Sequence, residues 1–122
     1  MRSRILVVDD SEAVRRSFER AINEQVDLEV CGEATNGQEC LAKAAELRPD
    51  AVILDISMPV MNGLDAARLL RELMPSLPVV ICSSFEGPSL EREAQTVGAK
   101  GVISKTQPIE QLLECLRTVI AG

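Results

Sequence analysis

The chain has no histidine, no tryptophan and no tyrosine, and only two phenylalanines in 122 residues. The lack of histidine excludes Ser-His-Asp and Cys-His catalysis. It also means that the chain cannot itself carry phosphohistidine. With aromatics at 2% and apolar residues at 46%, the core must be assembled from Val, Ile, Leu, Ala and Met. That composition suits a sheet covered by helices on both faces. Positive charge is in deficit as well, with 13 Lys and Arg against 19 Asp and Glu for a net charge of -6. Nonspecific nucleic-acid binding depends on clustered cations. The densest basic stretch, "VRRSFER", reads as a short mixed-charge helix face, so no direct nucleic-acid binding is expected. Cys31, Cys40, Cys82 and Cys115 form no C-x-x-C pair, and there is no histidine to complete a zinc site. With neither a signal peptide nor a membrane-length apolar run, the four read as reduced thiols of a cytoplasmic protein. Burial by packing is expected at least for Cys31 and Cys82.

What the sequence does contain is one alternation. The short branched runs "RILVV", "LEVCGE", "AVILD", "PVVICS" and "GVIS" are bounded by Asp, Gly, Pro or Ser and read as buried strands. Amphipathic segments separate them. Val14, Phe18, Ala21 and Ile22 share one helix face. Leu41, Ala44, Ala45 and Arg48 follow "TNGQE", where Asn36 with Glu39, or Thr35 with Gln38, offers a capping box. A third helix is predicted from about Leu64 to Leu73, stopping before Pro75. The fourth turns Leu90, Ala94 and Val97 inward and Glu91, Arg92 and Glu93 outward. The last carries a stripe of Ile109, Leu112, Leu113, Leu116, Val119 and Ile120. Five βα units without a linker predict a single domain over 1–122, an α/β doubly wound (βα)5 flavodoxin-like three-layer fold. Its parallel sheet is expected in the order 2-1-3-4-5. In such sheets the ligand crevice lies beyond the carboxyl ends of the strands, where strands 1 and 3 diverge.

Chemistry collects at those ends. The first strand runs into Asp9 and Asp10, the third ends in Asp55, the fourth in Ser83 and Ser84, and the fifth in Lys105. Three carboxylates without a counter-charge raise each other's pKa. A hard divalent cation such as Mg²⁺ removes the conflict and leaves coordination positions for a phosphoryl oxygen. A carboxylate is also a competent phosphoryl acceptor, and a cation with a lysine offsets the arriving charge. Read singly, Asp9, Asp10 and Ser11 stand where a helix N-cap belongs, Asp55 is a strand-end acid and Lys105 a surface lysine. Their shared register favours the site. Asn62-Gly63 predicts a turn with one residue at positive φ, holding the loop after Asp55. Met58 and Met61 read as packing.

With these motifs in order, the sequence resembles the receiver domain of two-component response regulators over essentially its whole length. "VVDDSE" is similar to the family's first-strand acidic pair, "LDISMPVMNGLD" to its phosphoacceptor stretch D-x-x-M-P-x-M-[DN]-G, and "GAKGVISK" to its fifth-strand ending. The resemblance implies Asp55 as phosphoacceptor, Asp10 as a direct Mg²⁺ ligand and Asp9 as one acting mainly through water. It implies that Ser57 gives its backbone carbonyl to the metal, and that Ser83 and Lys105 contact the phosphoryl group. The implied donor is a phosphohistidine on a sensor histidine kinase. The implied consequence is a changed interaction surface near the fourth and fifth helices, read out on phosphorylation as a partner contact or a homodimer contact. "EVCGEATNGQE" and "GAKGVISK" look most like receivers of LuxR-type transcription regulators, whose output domain would lie outside this chain.

The sequence departs from the family pattern in three places. Val102 stands where an aromatic switch residue is common. Thr106 follows the lysine where many members have proline, and cis before a non-proline costs about 2.5–4 kcal/mol, so a trans bond is expected. Ser84 puts a second hydroxyl beside the site. Two other readings compete. An aspartyl-nucleophile phosphohydrolase typically has a second Asp two residues after the first, where this chain has Ser57. A non-phosphorylated pseudo-receiver would not need the intact set of acids and lysine.

Overall fold

A computed structural model of the chain describes residues 1–84 and 87–122. Ten elements alternate without exception: β1 (Ser3–Val8), α1 (Glu12–Asn23), β2 (Leu28–Ala34), α2 (Gly37–Leu47), β3 (Ala51–Asp55), α3 (Gly63–Leu73), β4 (Val79–Ser83), α4 (Pro88–Thr96), β5 (Gly101–Ser104) and α5 (Ile109–Ala121). The five strands form one parallel sheet in the order β2-β1-β3-β4-β5, as the alternation predicts.

Because strand side chains alternate between faces, each strand feeds two cores. Ile5 and Val7 pack with Phe18, Ile22, Leu112 and Leu116 under α1 and α5. Leu6 and Val8 pack with Cys40, Ala44, Ala67, Leu70 and Ala94 under α2, α3 and α4. Ile5, Leu6, Val7 and Val8 are all at most 1% exposed. Full burial of each such side chain contributes about 1.5–3 kcal/mol, which is why β1 reads as an unbroken apolar run. Most of the helices lie where the periodicity predicts. The exception is the face of α2: Ala45 and Arg48 are exposed, and Gly37, Cys40 and Ala44 are the buried set. Arg48 has left the helix to become its left-handed C-cap, with φ 48°.

The local signals are identifiable. Ser11 Oγ caps α1 by accepting from the Val14 N–H. Asn36 Oδ1 caps α2 by accepting from the Glu39 N–H at 2.8 Å, and Glu39 reaches back to accept from the Thr35 N–H at 3.1 Å. Reciprocal capping therefore operates, with Asn36 as the cap and the Thr35 N–H donating the return bond to Glu39. Cys40 and Cys82 are buried, and burial pushes both thiols up to about 12. Cys31 is only half-buried, against expectation. It lies where β2 inserts an extra residue between Val30, paired with Ile5, and Gly32, paired with Leu6. A bulge of this kind takes a side chain out of the regular alternation.

Candidate phosphoacceptor and cation site

Register brings the site residues together. Val8 pairs with Leu54, so the next residue on each strand, Asp9 and Asp55, comes level at the carboxyl end of the sheet. β1 and β3 are neighbours there, while the chain leaves β1 for β2 on its other side. The crevice is thus the place where the order reverses. Carboxylate oxygens of Asp9, Asp10 and Asp55 lie within 4.8 Å of one another. Asp9 is 1% exposed and Asp55 5%, while Asp10 faces solvent.

A cation faces this group. Lys105 Nζ lies 2.7 Å from Asp9 Oδ2 and 3.1 Å from Asp55 Oδ1. It is delivered from the end of β5, where its N–H donates to the Ser83 carbonyl at 2.8 Å. Burial pushes the Asp55 carboxyl above the usual range, the Asp9 charge adds to that, and Lys105 opposes it. Burial also works against the Lys105 ammonium, but the carboxylates of Asp9 and Asp55 outweigh it and its pKa is raised. One lysine therefore does not neutralise the cluster.

Ser83 is buried at the end of β4, one residue beyond Cys82, which pairs with Asp55. Ser84 is exposed beside it, and Ser57 is exposed in the bend that follows Asp55. The sequence-predicted residues are thus gathered at one sheet end. Val102 packs with the core under α2, α3 and α4. The Lys105–Thr106 bond is trans, as expected. In place of a proline, Ser104 Oγ and Thr106 Oγ1 hydrogen-bond at 2.8 Å, and the Ser104 N–H donates to Gln107 Oε1 at 2.8 Å.

The loop after Asp55 differs from expectation. Neither Asn62 nor Gly63 has positive φ. Asn62 is the N-cap of α3, accepting from the Asp65 N–H at 2.9 Å, and Gly63 is the first helical residue. Gly63 is required by closeness: a Cβ there would fall 1.9 Å from the Asp55 carbonyl oxygen. Its N–H holds the Ile56 carbonyl at 2.8 Å, so the glycine does hold the loop. The left-handed residue is Val60, at φ 68°, where the Met61 N–H donates to the Pro59 carbonyl at 2.7 Å. That closes a three-residue turn in a conformation that β-branched residues rarely adopt. Val60 is also 77% exposed.

Arg15 belongs to a stretch that reads as a mixed-charge helix face, yet it is 9% exposed. Positions 15, 18 and 22 are the buried ones on α1, and that i, i+3, i+7 spacing was the available signal.

A doubly wound sheet with an acidic crevice and a lysine from the last strand defines the class of protein. The model of the response regulator receiver domain family matches residues 5–117, and the chain belongs to that family. Chemotaxis protein CheY of Thermotoga maritima is 38% identical over 98% of this chain and 98% of its own length. Response regulator GacA of Pseudomonas aeruginosa is 35% identical over 98% of this chain but 56% of its own length. A LuxR-family two-component response regulator from Aurantimonas superposes with a TM-score of 0.95 at 27% identity, covering 100% of this chain and 87% of that one. The chain thus spans about half the length of GacA. Receiver domains are the phosphorylated signalling domains of two-component systems and work with sensor kinases and other partners. They bind Mg²⁺ in general.

The residues present fit a hard cation. All three donors are carboxylates, and the buried Asp9 Oδ2 lies 2.7 Å from the Lys105 ammonium. Oxygen-only donors with one open side are what Mg²⁺ uses. No helix among the described residues is long and apolar enough to cross a membrane.

Proposed function

We propose that Asp55 is the phosphoacceptor of this receiver domain and that its donor is a phosphohistidine of a sensor histidine kinase. The observation that carries the reading is the meeting of Asp9, Asp10 and Asp55 within 4.8 Å, with Lys105 bridging Asp9 and Asp55. In the transfer, the P–N bond of the donor breaks and a P–O bond to an Asp55 carboxylate oxygen forms. The imidazole leaves with the P–N electron pair. Asp9, Asp10, Asp55 and the Ser57 carbonyl would hold Mg²⁺. When bound, the metal offsets negative charge on the phosphoryl oxygens. Lys105 exchanges part of its pairing with Asp55 for the new phosphoryl charge, and the Ser83 hydroxyl donates to a phosphoryl oxygen.

The added charge then biases a two-state equilibrium. The bias is read out near α4 and α5 as a partner contact or a homodimer contact. Val102 lacks a ring to rotate inward, so that coupling runs without an aromatic switch. The cytoplasm is the location that suits this chemistry. A LuxR-type output domain is the proposed target of control, supported by the coverage of GacA and by the LuxR-family structural neighbour.

Incubation with acetyl phosphate and Mg²⁺, followed by intact-mass measurement, tests the assignment. The wild type should gain one phosphoryl group and Asp55→Asn none. Equal labelling of Asp55→Asn would remove Asp55 from the mechanism.

A further inference from the structure

Arg15 sits one turn behind the acidic pair, and its guanidinium holds two acceptors. Nη1 donates to the Asp9 backbone carbonyl at 2.8 Å, in a buried contact, and Nε donates to Glu33 Oε1 at 2.7 Å. Glu33 lies on β2 opposite Val7, next to Ala34, whose carbonyl accepts from the Asp9 N–H at 3.1 Å. Both backbone polar groups of Asp9 are therefore tied toward β2, one directly and one through Arg15. The Asp9 side chain is restrained as well, since Oδ1 accepts from the Ser11 N–H at 2.9 Å.

The Asp9 carbonyl belongs to the peptide plane that joins Asp9 to Asp10. Holding that oxygen stops the plane from rotating, which orients the Cα–Cβ bonds on either side of it. A planar guanidinium serves this purpose because its donors are set in a rigid fork. It also brings a positive charge to the back of two adjacent carboxylates without occupying the crevice.

We propose that Arg15 is a positioning residue of the cation site. By clamping the Asp9 carbonyl to Glu33, it sets the Asp9 and Asp10 carboxylates for a divalent cation. The inference rests on the reading of the acidic cluster given above. Groups that orient first-contact metal ligands typically change metal affinity by about 10–100-fold when removed, and the lower end is expected here because Arg15 acts through backbone.

Mg²⁺ titrations followed by amide NMR test this, with folding verified in the same spectra. Arg15→Met should weaken Mg²⁺ binding about tenfold. Phe18→Leu, which thins the packing of the same helix, should lower the melting temperature and leave Mg²⁺ affinity unchanged. Wild-type affinity in Arg15→Met, or an equal loss in Phe18→Leu, would overturn the proposal. If Arg15→Met does not fold, Arg15→Lys replaces it. A lysine keeps the charge but lacks the fork, so wild-type affinity in Arg15→Lys would also overturn the proposal. Absence of any Mg²⁺ response in the wild type is a different failure, because it removes the cation site itself.

Discussion

The two ends of the sheet handle charge in opposite ways. At the amino end, Asp27 and Asp50 each accept hydrogen bonds, Asp27 from a guanidinium and Asp50 from a backbone amide. Arg117 donates to Asp27 from two nitrogens, at 2.7 and 2.9 Å, and the Arg4 N–H donates to Asp50 Oδ2 at 2.7 Å. The hydrogen bond from Arg117 holds the Asp27 carboxyl below its ordinary value. At the carboxyl end, three carboxylates face one lysine, and burial and Asp9 hold the Asp55 carboxyl above its ordinary value. At one end the acids are met by donors. The other carries an excess that a divalent cation would complete. Left-handed backbone occurs at both ends, at Arg48 before β3 and at Val60 after it, and the close approach of Gly63 to Asp55 lies at the second.

The contrast breaks most sharply at Lys105. Its raised pKa means that its contribution is fully present below its ordinary value near ~10.4 and is lost as pH rises through the folded-state value. Lys105→Met leaves the buried Asp9 and Asp55 without their ammonium. It is expected to destabilise the metal-free protein by about 3 kcal/mol at neutral pH, measured by urea unfolding. Mg²⁺ should recover more stability in this variant than in the wild type. An unchanged midpoint would mean that the excess charge is already relieved in another way.

A smaller change of opposite sign is expected from Asp55→Asn without metal. A carboxyl with a raised folded-state pKa favours the folded state below the ordinary value near ~3.9, and that advantage is lost as pH rises through the folded-state value. Removing the carboxylate should therefore stabilise the protein at neutral pH, by about 1 kcal/mol. The gap should shrink as the pH falls toward the ordinary carboxyl range. Thermal melts of both proteins across that range check the sign, and a variant less stable than the wild type at neutral pH would contradict it.

The smallest effect belongs to the amino end. The Arg117–Asp27 pair is exposed, and salt screens such pairs. Arg117→Ala should melt indistinguishably from the wild type in high salt. A large loss there would show that the amino end depends on its charges after all.

The elements were legible because their signals are local. The unbroken apolar run from Ile5 to Val8, the stripe from Ile109 to Ile120, and Pro75 after α3 each act within a few residues. The acidic pair, Asp55 and Lys105 were legible for a related reason, since each stands directly after an apolar run. The misreadings concern neighbours distant in sequence. Gly63 reads as a turn residue because nothing near it in sequence reveals the Asp55 carbonyl that excludes a Cβ. Cys31 was placed inside because the bulge depends on pairing with β1. Arg15 was placed outside because its partners, the Asp9 carbonyl and Glu33, close around it only when α1 lies across β1 and β2.

By itself, then, the sequence determined which residues form strands and helices and which chemical groups stand at the strand ends, because periodicity and strand-end position are properties of short segments. The tertiary structure decided how those groups meet. The pairing of Val8 with Leu54 brings Asp9 level with Asp55, the end of β5 delivers Lys105 between them, and the packing of α1 turns a basic residue into a buried clamp. The physical reason is that carboxylate repulsion, ion pairing and burial act through space over a few ångströms, and only the folded sheet sets those distances.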